Sequence, residues 1–105
     1  MKQNANTDYT KTVTWNTNLA AGAKLEGDYI DKEEYTYNNQ DKVKYVIEGV
    51  DGTTYGVYGS AVLNRLFEKI SIGSHVWIEY KGKGTTKAGN PLNLYEVEFD
   101  PEFNK

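Results

Sequence analysis

Apolar residues in this chain fall mostly into period-two runs, and one stretch breaks the rule. Val43, Tyr45 and Ile47 recur at every second position, as do Val76, Ile78 and Tyr80, with Val46 and Trp77 as the large apolar residues out of phase. Such alternation places one face of an extended strand against a core. Between these runs, Ser60 is followed by Val62, Leu63, Leu66, Phe67 and Ile70, a spacing of three and four. That is one amphipathic helix, and Ser60 is suited to cap its first turn. A chain with many short strands and one helix must build its core from a sheet that bends over that helix.

The order of elements narrows the fold further. Residues 1–23 are polar, with Tyr9, Val13 and Trp15 as the large apolar points, and read as an N-terminal arm. Lys24 to Tyr37 reads as a long first strand, with Leu25, Gly27 and Tyr29 on one face. Ile30 breaks its phase, which predicts a bend or bulge. Asn38-Asn39-Gln40-Asp41 is a turn, Val43 to Val50 a second strand, Asp51-Gly52 a hairpin signal and Thr53 to Tyr58 a third strand. The helix follows, then His75 to Tyr80, a long loop, and Leu92 to Phe99, closed off by Asp100-Pro101. Three strands, a helix between the third and fourth, then two strands is the order of the five-stranded OB-fold barrel. The expected division is an arm over 1–23, an all-β OB-fold domain with one helix over 24–100, and a short C-terminal stub over 101–105.

Composition removes several classes of function. There is no cysteine and only one histidine, His75, so a thiolate metal site, a Cys-His pair and a histidine cluster cannot be assembled, and a Ser-His-Asp set would have to use His75, which reads as a surface residue and not as a base. The expectation is a protein that is not an enzyme, with no catalytic residue, metal, cofactor or small-molecule substrate. His75 shares its strand face with Trp77 and is expected at the surface. No apolar run approaches a bilayer-spanning length and the N-terminus does not read as a signal peptide, so a cytoplasmic protein is expected. Net charge is −3, with acids concentrated at Glu26, Asp28, Asp31, Glu33 and Glu34 and again at Glu96, Glu98, Asp100 and Glu102.

Against that acidic background Lys81-Gly82-Lys83-Gly84-Thr85-Thr86-Lys87 stands out. Glycine allows close backbone approach and lysine supplies point charges for phosphates. In an OB barrel this stretch is the loop between the last two strands, where oligonucleotides or oligosaccharides bind. Lys81, Lys83 and Lys87 are therefore candidate phosphate contacts, as are Lys42 and Lys44 at the start of the second strand. Nine tyrosines and two tryptophans can serve core packing or base stacking. Phase puts Tyr55 and Tyr45 inward, and puts Gly56 and Tyr58 outward, where a glycine beside a ring leaves room for a base. Tyr58, Tyr35, Tyr37 and Trp77 are the candidate stacking rings. An outward Trp77 calls for a base, a cover from the N-terminal arm, or a dimer interface.

Four segments carry a resemblance to a known family: Gly22 to Tyr29, Tyr58 to Arg65, Ile72 to Gly82, and Lys87-Ala88-Gly89-Asn90-Pro91. In this order and spacing, across roughly residues 20–99, the chain resembles the OB-fold single-stranded-DNA-binding proteins of bacteriophages and prophages. The resemblance implies sequence-tolerant coating of single-stranded DNA during phage replication or recombination, inside a bacterial host. One small acidic barrel binds weakly alone, so a homo-oligomer is expected, with no membrane partner. The stub 101–105 departs from the acidic recruiting tail that such proteins often carry. Two other readings stand beside this one: a protein-interaction OB domain without nucleic-acid binding, which the acidic first strand favours, and oligosaccharide recognition.

Overall fold

The computed structural model describes residues 12–104. Tyr9 and the rest of residues 1–11 in the expected arm, and Lys105 of the stub, lie outside the described residues. Six strands and one helix follow in order: β1 (Val13–Thr14), β2 (Lys24–Tyr37), β3 (Gln40–Gly49), β4 (Thr54–Tyr58), α1 (Ala61–Phe67), β5 (His75–Thr85) and β6 (Pro91–Asp100). They form a single curled sheet in the order β1-β4-β3-β2-β5-β6. All neighbours are antiparallel except β1 and β4, which run parallel with Val13 opposite Tyr55 and Thr14 opposite Gly56.

The fold is therefore mostly β with one short helix, as the two periods imply, and the helix lies between β4 and β5. The sheet is a half-barrel and not a plainly closed five-stranded one, because among the described residues no ladder joins β4 to β6. The N-terminal segment occupies that seam instead. Trp15 N donates to Gly56 O at 2.9 Å. Asn16 Nδ2 donates to Tyr58 O at 2.8 Å, and Tyr58 N donates back to Asn16 Oδ1 at 2.9 Å. Asn16 also reaches Tyr95 Oη on β6, and the Trp15 ring packs against that of Tyr95 at 6.3 Å. Part of what reads as a polar arm is thus a strand and a seal.

The core follows the alternation. Leu25 and Tyr29 from β2, Tyr45 and Ile47 from β3, Val57 from β4, and Val76 and Ile78 from β5 are buried on one face. The helix supplies Leu63 and Phe67, with Ile70 just beyond it. Its start is fixed by Ser60, whose hydroxyl accepts from Leu63 N. Phe67 stacks on Tyr45 at 4.2 Å and meets Tyr29 edge-on at 5.1 Å. The Tyr45 hydroxyl keeps a partner by donating to Asn64 Oδ1 at 2.7 Å, so its burial leaves no orphaned group. Burial, with Tyr45 and Asp31 nearby, pushes the Tyr29 phenol up to about 12.

Two bulges bend the sheet. One falls between Tyr29 and Asp31 and leaves Ile30 unpaired and exposed, which accounts for the break in phase at Ile30. The other falls between Tyr80 and Gly82, where Gly82 has φ +97°. The second bulge changes the lysine stretch. It is not a long loop: β5 runs through to Thr85 and β6 begins at Pro91, with Lys83 opposite Asn93 and Gly84 opposite Leu92. The glycines that suggest a loop let the ladder bend past Tyr80 and resume. Only residues 86–90 form the turn, closed by Thr86 N to Asn90 O at 2.8 Å.

Candidate nucleic-acid interface

The outward face of β2, β3 and β4 gathers several of the candidate residues. Register places Glu33 opposite Lys44, Lys44 opposite Tyr58, and Tyr35 opposite Lys42. Tyr35, Lys44 and Tyr58 line one open cleft of about 670 Å³ together with Asp31, Glu33 and Glu34. Tyr35 and Tyr58 are each 39% exposed, and stacking on a base would use whatever part of a ring face is open. Tyr37 lies further out at the hairpin tip and is more exposed still.

The charge of this cleft is less inviting. Lys44 Nζ pairs with Glu33 at 3.0 Å, donates to Thr12 Oγ1 at 3.1 Å, and sits 5.9 Å from the Tyr58 ring centre. Its side chain is only 13% exposed, so it is a held cation and not a reaching one. Space beside Gly56 is also taken. A Cβ there would lie 2.9 Å from Lys44 Cδ and 3.1 Å from Thr12 Oγ1, so the room expected for a base over this glycine is filled by the lysine and the N-terminal segment. Lys42 remains exposed and lines a separate shallow cleft with Lys32, Glu34 and Asp41.

The β5–β6 hairpin offers a different surface. Lys83 lines a cleft of about 280 Å³ with Asn16, Asn18, Leu19, Tyr80, Asn93 and Tyr95. It also borders a second of about 200 Å³ with Pro91, Leu92 and Asn93. Among the described residues no carboxylate lines either one. Side-chain amides, phenols and one ammonium are groups that contact phosphates and base edges without a repulsive partner. Tyr80 Oη donates to Asn93 Oδ1 at 2.9 Å, which orients that amide at the edge of the cleft. Lys81 lies at the bulge, 3.6 Å from Glu79, and Lys87 sits exposed in the turn.

Asn16 connects the two surfaces, since it borders the Lys83 cleft while bonding the backbone of Tyr58. Asn16, Asn18 and Asn93 were not singled out by sequence reasoning. Isolated asparagines in polar stretches carry no periodic signal; only strand pairing reveals that they meet.

Trp77 belongs to neither cleft. It lies on the outer face of β5, half-buried, beside His75 at 4.8 Å and under Phe103 at 5.7 Å. Among the described residues, what covers it is the C-terminal segment, through Phe103. His75 departs from expectation too: it is buried and not at the surface. Glu26 and Asp28 approach its two ring nitrogens, at 2.7 Å each, and Phe103 stacks on the ring at 3.8 Å. Phase alone places a residue on a face, but cannot tell whether another segment closes over that face.

Among the described residues no group of three or more His, Cys, Asp or Glu is arranged to hold a metal ion. No described helix is long and apolar enough to cross a membrane. Compared with protein-family models, curated proteins and solved structures, the chain has no match in any of the three.

Proposed function

We propose that the chain is a sequence-tolerant single-stranded-DNA-binding module of the OB type, of the kind that serves phage replication or recombination in a bacterial host. On this reading β2 to β6 correspond to the five barrel strands, and residues 12–16 fill the gap where such a barrel closes. The observation that carries the proposal is the cleft on the β5–β6 hairpin, lined by Lys83, Asn16, Asn93 and Tyr95 with no carboxylate among the described residues, on a protein of net charge −3. Lys83, with Lys81 and Lys87 on the same hairpin, meets phosphates. The exposed rings of Tyr58 and Tyr35 give bases a stacking surface, and Asn16 joins the two regions. Repeated copies along one strand supply the avidity that one small domain lacks.

Titration of the protein with oligo-dT at low and at high salt, followed by tyrosine and tryptophan fluorescence, tests this. Quenching at low salt that fades steeply as salt rises is the expected result, since each phosphate contact releases a counterion. Lys83→Ala should weaken binding by a factor of about three to ten and reduce the salt slope by about 0.7. Absence of any response at low salt, with circular dichroism unchanged, would sink the proposal.

A second reading, a protein-binding domain that does not touch nucleic acid, is favoured by the other cleft. There Asp31, Glu33 and Glu34 outnumber Lys44, and Lys44 is already paired. A silent oligo-dT titration would turn attention to that face.

A further inference from the structure

The sole histidine is built into a junction that the nucleic-acid reading does not use. His75 Nδ1 lies 2.7 Å from Asp28 Oδ1 and Nε2 lies 2.7 Å from Glu26 Oε2. Two ionised carboxylates facing both nitrogens call for two N–H donors, which only the imidazolium has. Asp28 Oδ1 also accepts from Asn104 Nδ2 at 2.8 Å, and Phe103 stacks nearly parallel on the histidine ring at 3.8 Å and 11°. The C-terminal segment thus meets the ring through Phe103 and its carboxylate partner through Asn104, while Trp77 touches Phe103 edge-on at 5.7 Å and Glu102 N donates to Asp100 Oδ1 at 2.9 Å. A cation stacked on an aromatic face gains attraction that a neutral ring lacks.

We propose that His75 is a proton-operated latch that holds residues 101–104 over the outer face of β2 and β5 while it is charged, and releases them when it loses its proton. The electrostatics around it are one-sided. Glu26 and Asp28 face it from β2, Asp100 is its cross-strand partner on β6, Glu98 is the partner of neighbouring Trp77, and Glu102 lies in the segment itself. Lys24 lies on the groove beyond Trp77, with Glu79, Glu96 and Glu98. Among the described residues, His75 is the ion-pair partner that Glu26 and Asp28 have. Neutral imidazole would point a lone pair at one carboxylate and leave these acids facing each other. Loss of the proton therefore removes the cation beneath Phe103 and one of the two hydrogen bonds that orient Glu26 and Asp28, the latter being the carboxylate to which Asn104 donates.

The sign follows from the shifts. Burial opposes the charged ring, but the hydrogen bonds from Glu26 and Asp28 outweigh it and hold His75 above its ordinary 6.5. A raised value means the latch is complete below 6.5 and fails as pH climbs through the folded-state value. Asp28 is held below its ordinary 3.8, by the hydrogen bond with His75 first and by that from Asn104 second. On the acid side the latch therefore survives until pH falls through that lowered value. Binding of the proton and docking of the segment help each other equally.

The full chain can be followed by NMR, where one histidine gives one titrating signal. The His75 midpoint is expected above 6.5. The Phe103 ring and Asn104 side-chain amide signals should move to unstructured positions with the same midpoint, while core signals of Val57 and Ile78 stay put. Phe103→Ala should lower the His75 midpoint, because a released segment no longer favours the proton. His75→Gln should leave residues 101–104 without any response across neutral pH. Phe103 and Asn104 signals that ignore the histidine titration would overturn the latch. So would a midpoint at or below 6.5, one unmoved by Phe103→Ala, or core signals that shift with the same midpoint.

Discussion

Glycine 27 shows how a single atom is excluded. A Cβ at this position would run into the backbone carbonyl of Glu48 on the neighbouring strand, with Gly49 Cα 2.8 Å away. Neither obstacle is the movable end of a side chain, so the strands themselves would have to separate. Gly27→Ala is expected to cost about 2 kcal/mol, roughly 10 °C in Tm for a domain of this size, measured by thermal denaturation. Gly22, whose surroundings are open but whose φ is +95°, is constrained by conformation and not by space. The sequence marks both residues as glycine and draws no distinction between them. Gly27 reads as a bend, whereas its use is close passage of one strand over another.

Strands differ in how much of their length they bury. β2 has its buried residues at Leu25, Gly27 and Tyr29, and from Ile30 to Tyr37 none of its residues is buried. The facing end of β3, from Gln40 to Lys44, has none either. Apart from Val43, which packs against the core, this outer part of the hairpin is held by its ladder and by pairs such as Tyr35 opposite Lys42. Backbone amides there should exchange with solvent on the order of 10²-fold faster than those of Ile47 and Val57, as measured by hydrogen exchange. If the two sets exchange alike, the hairpin is not a separate unit of stability.

The strand order is legible because each buried run keeps its phase: Tyr45 and Ile47, Val76 and Ile78, and the change of period at Val62. Two elements are not. Val13–Thr14 is too short to show any period, and it is a strand because β4 offers it an edge. Lys81 to Thr85 carries the residues of a loop, and it is a strand because Leu92, Asn93 and Leu94 pair with it. The candidate site inherits both gaps. Lysines on the hairpin are visible in the sequence, but the asparagines that share their cleft are brought there by tertiary pairing. Lys44 reads as an outward charge, and its capture by Glu33 depends on register across two strands.

At the scale of the whole molecule, closure depends on a few atoms. Asn16 spans β4 and β6 with three hydrogen bonds: two to the backbone of Tyr58 and one to the hydroxyl of Tyr95. Asn16→Ala would strip both backbone partners from Tyr58 and leave the seam to Trp15. A loss of about 2 kcal/mol is expected in urea denaturation, with faster exchange of the Tyr58 amide. An unchanged urea midpoint would mean that solvent replaces Asn16 without penalty.

That seam also sets an order of events for the growing polypeptide. Asn16 lies 42 residues before Tyr58 and 79 before Tyr95, so its bond to Tyr95 is among the most remote in sequence that the described residues make. Contacts of such separation are costly to form early, because a long loop must close before anything is gained. Residues 13–16 leave the ribosome long before either of their partners. Until β4 is made this segment has no strand to pair with, and its reach to Tyr95 is completed only after β6 has been made.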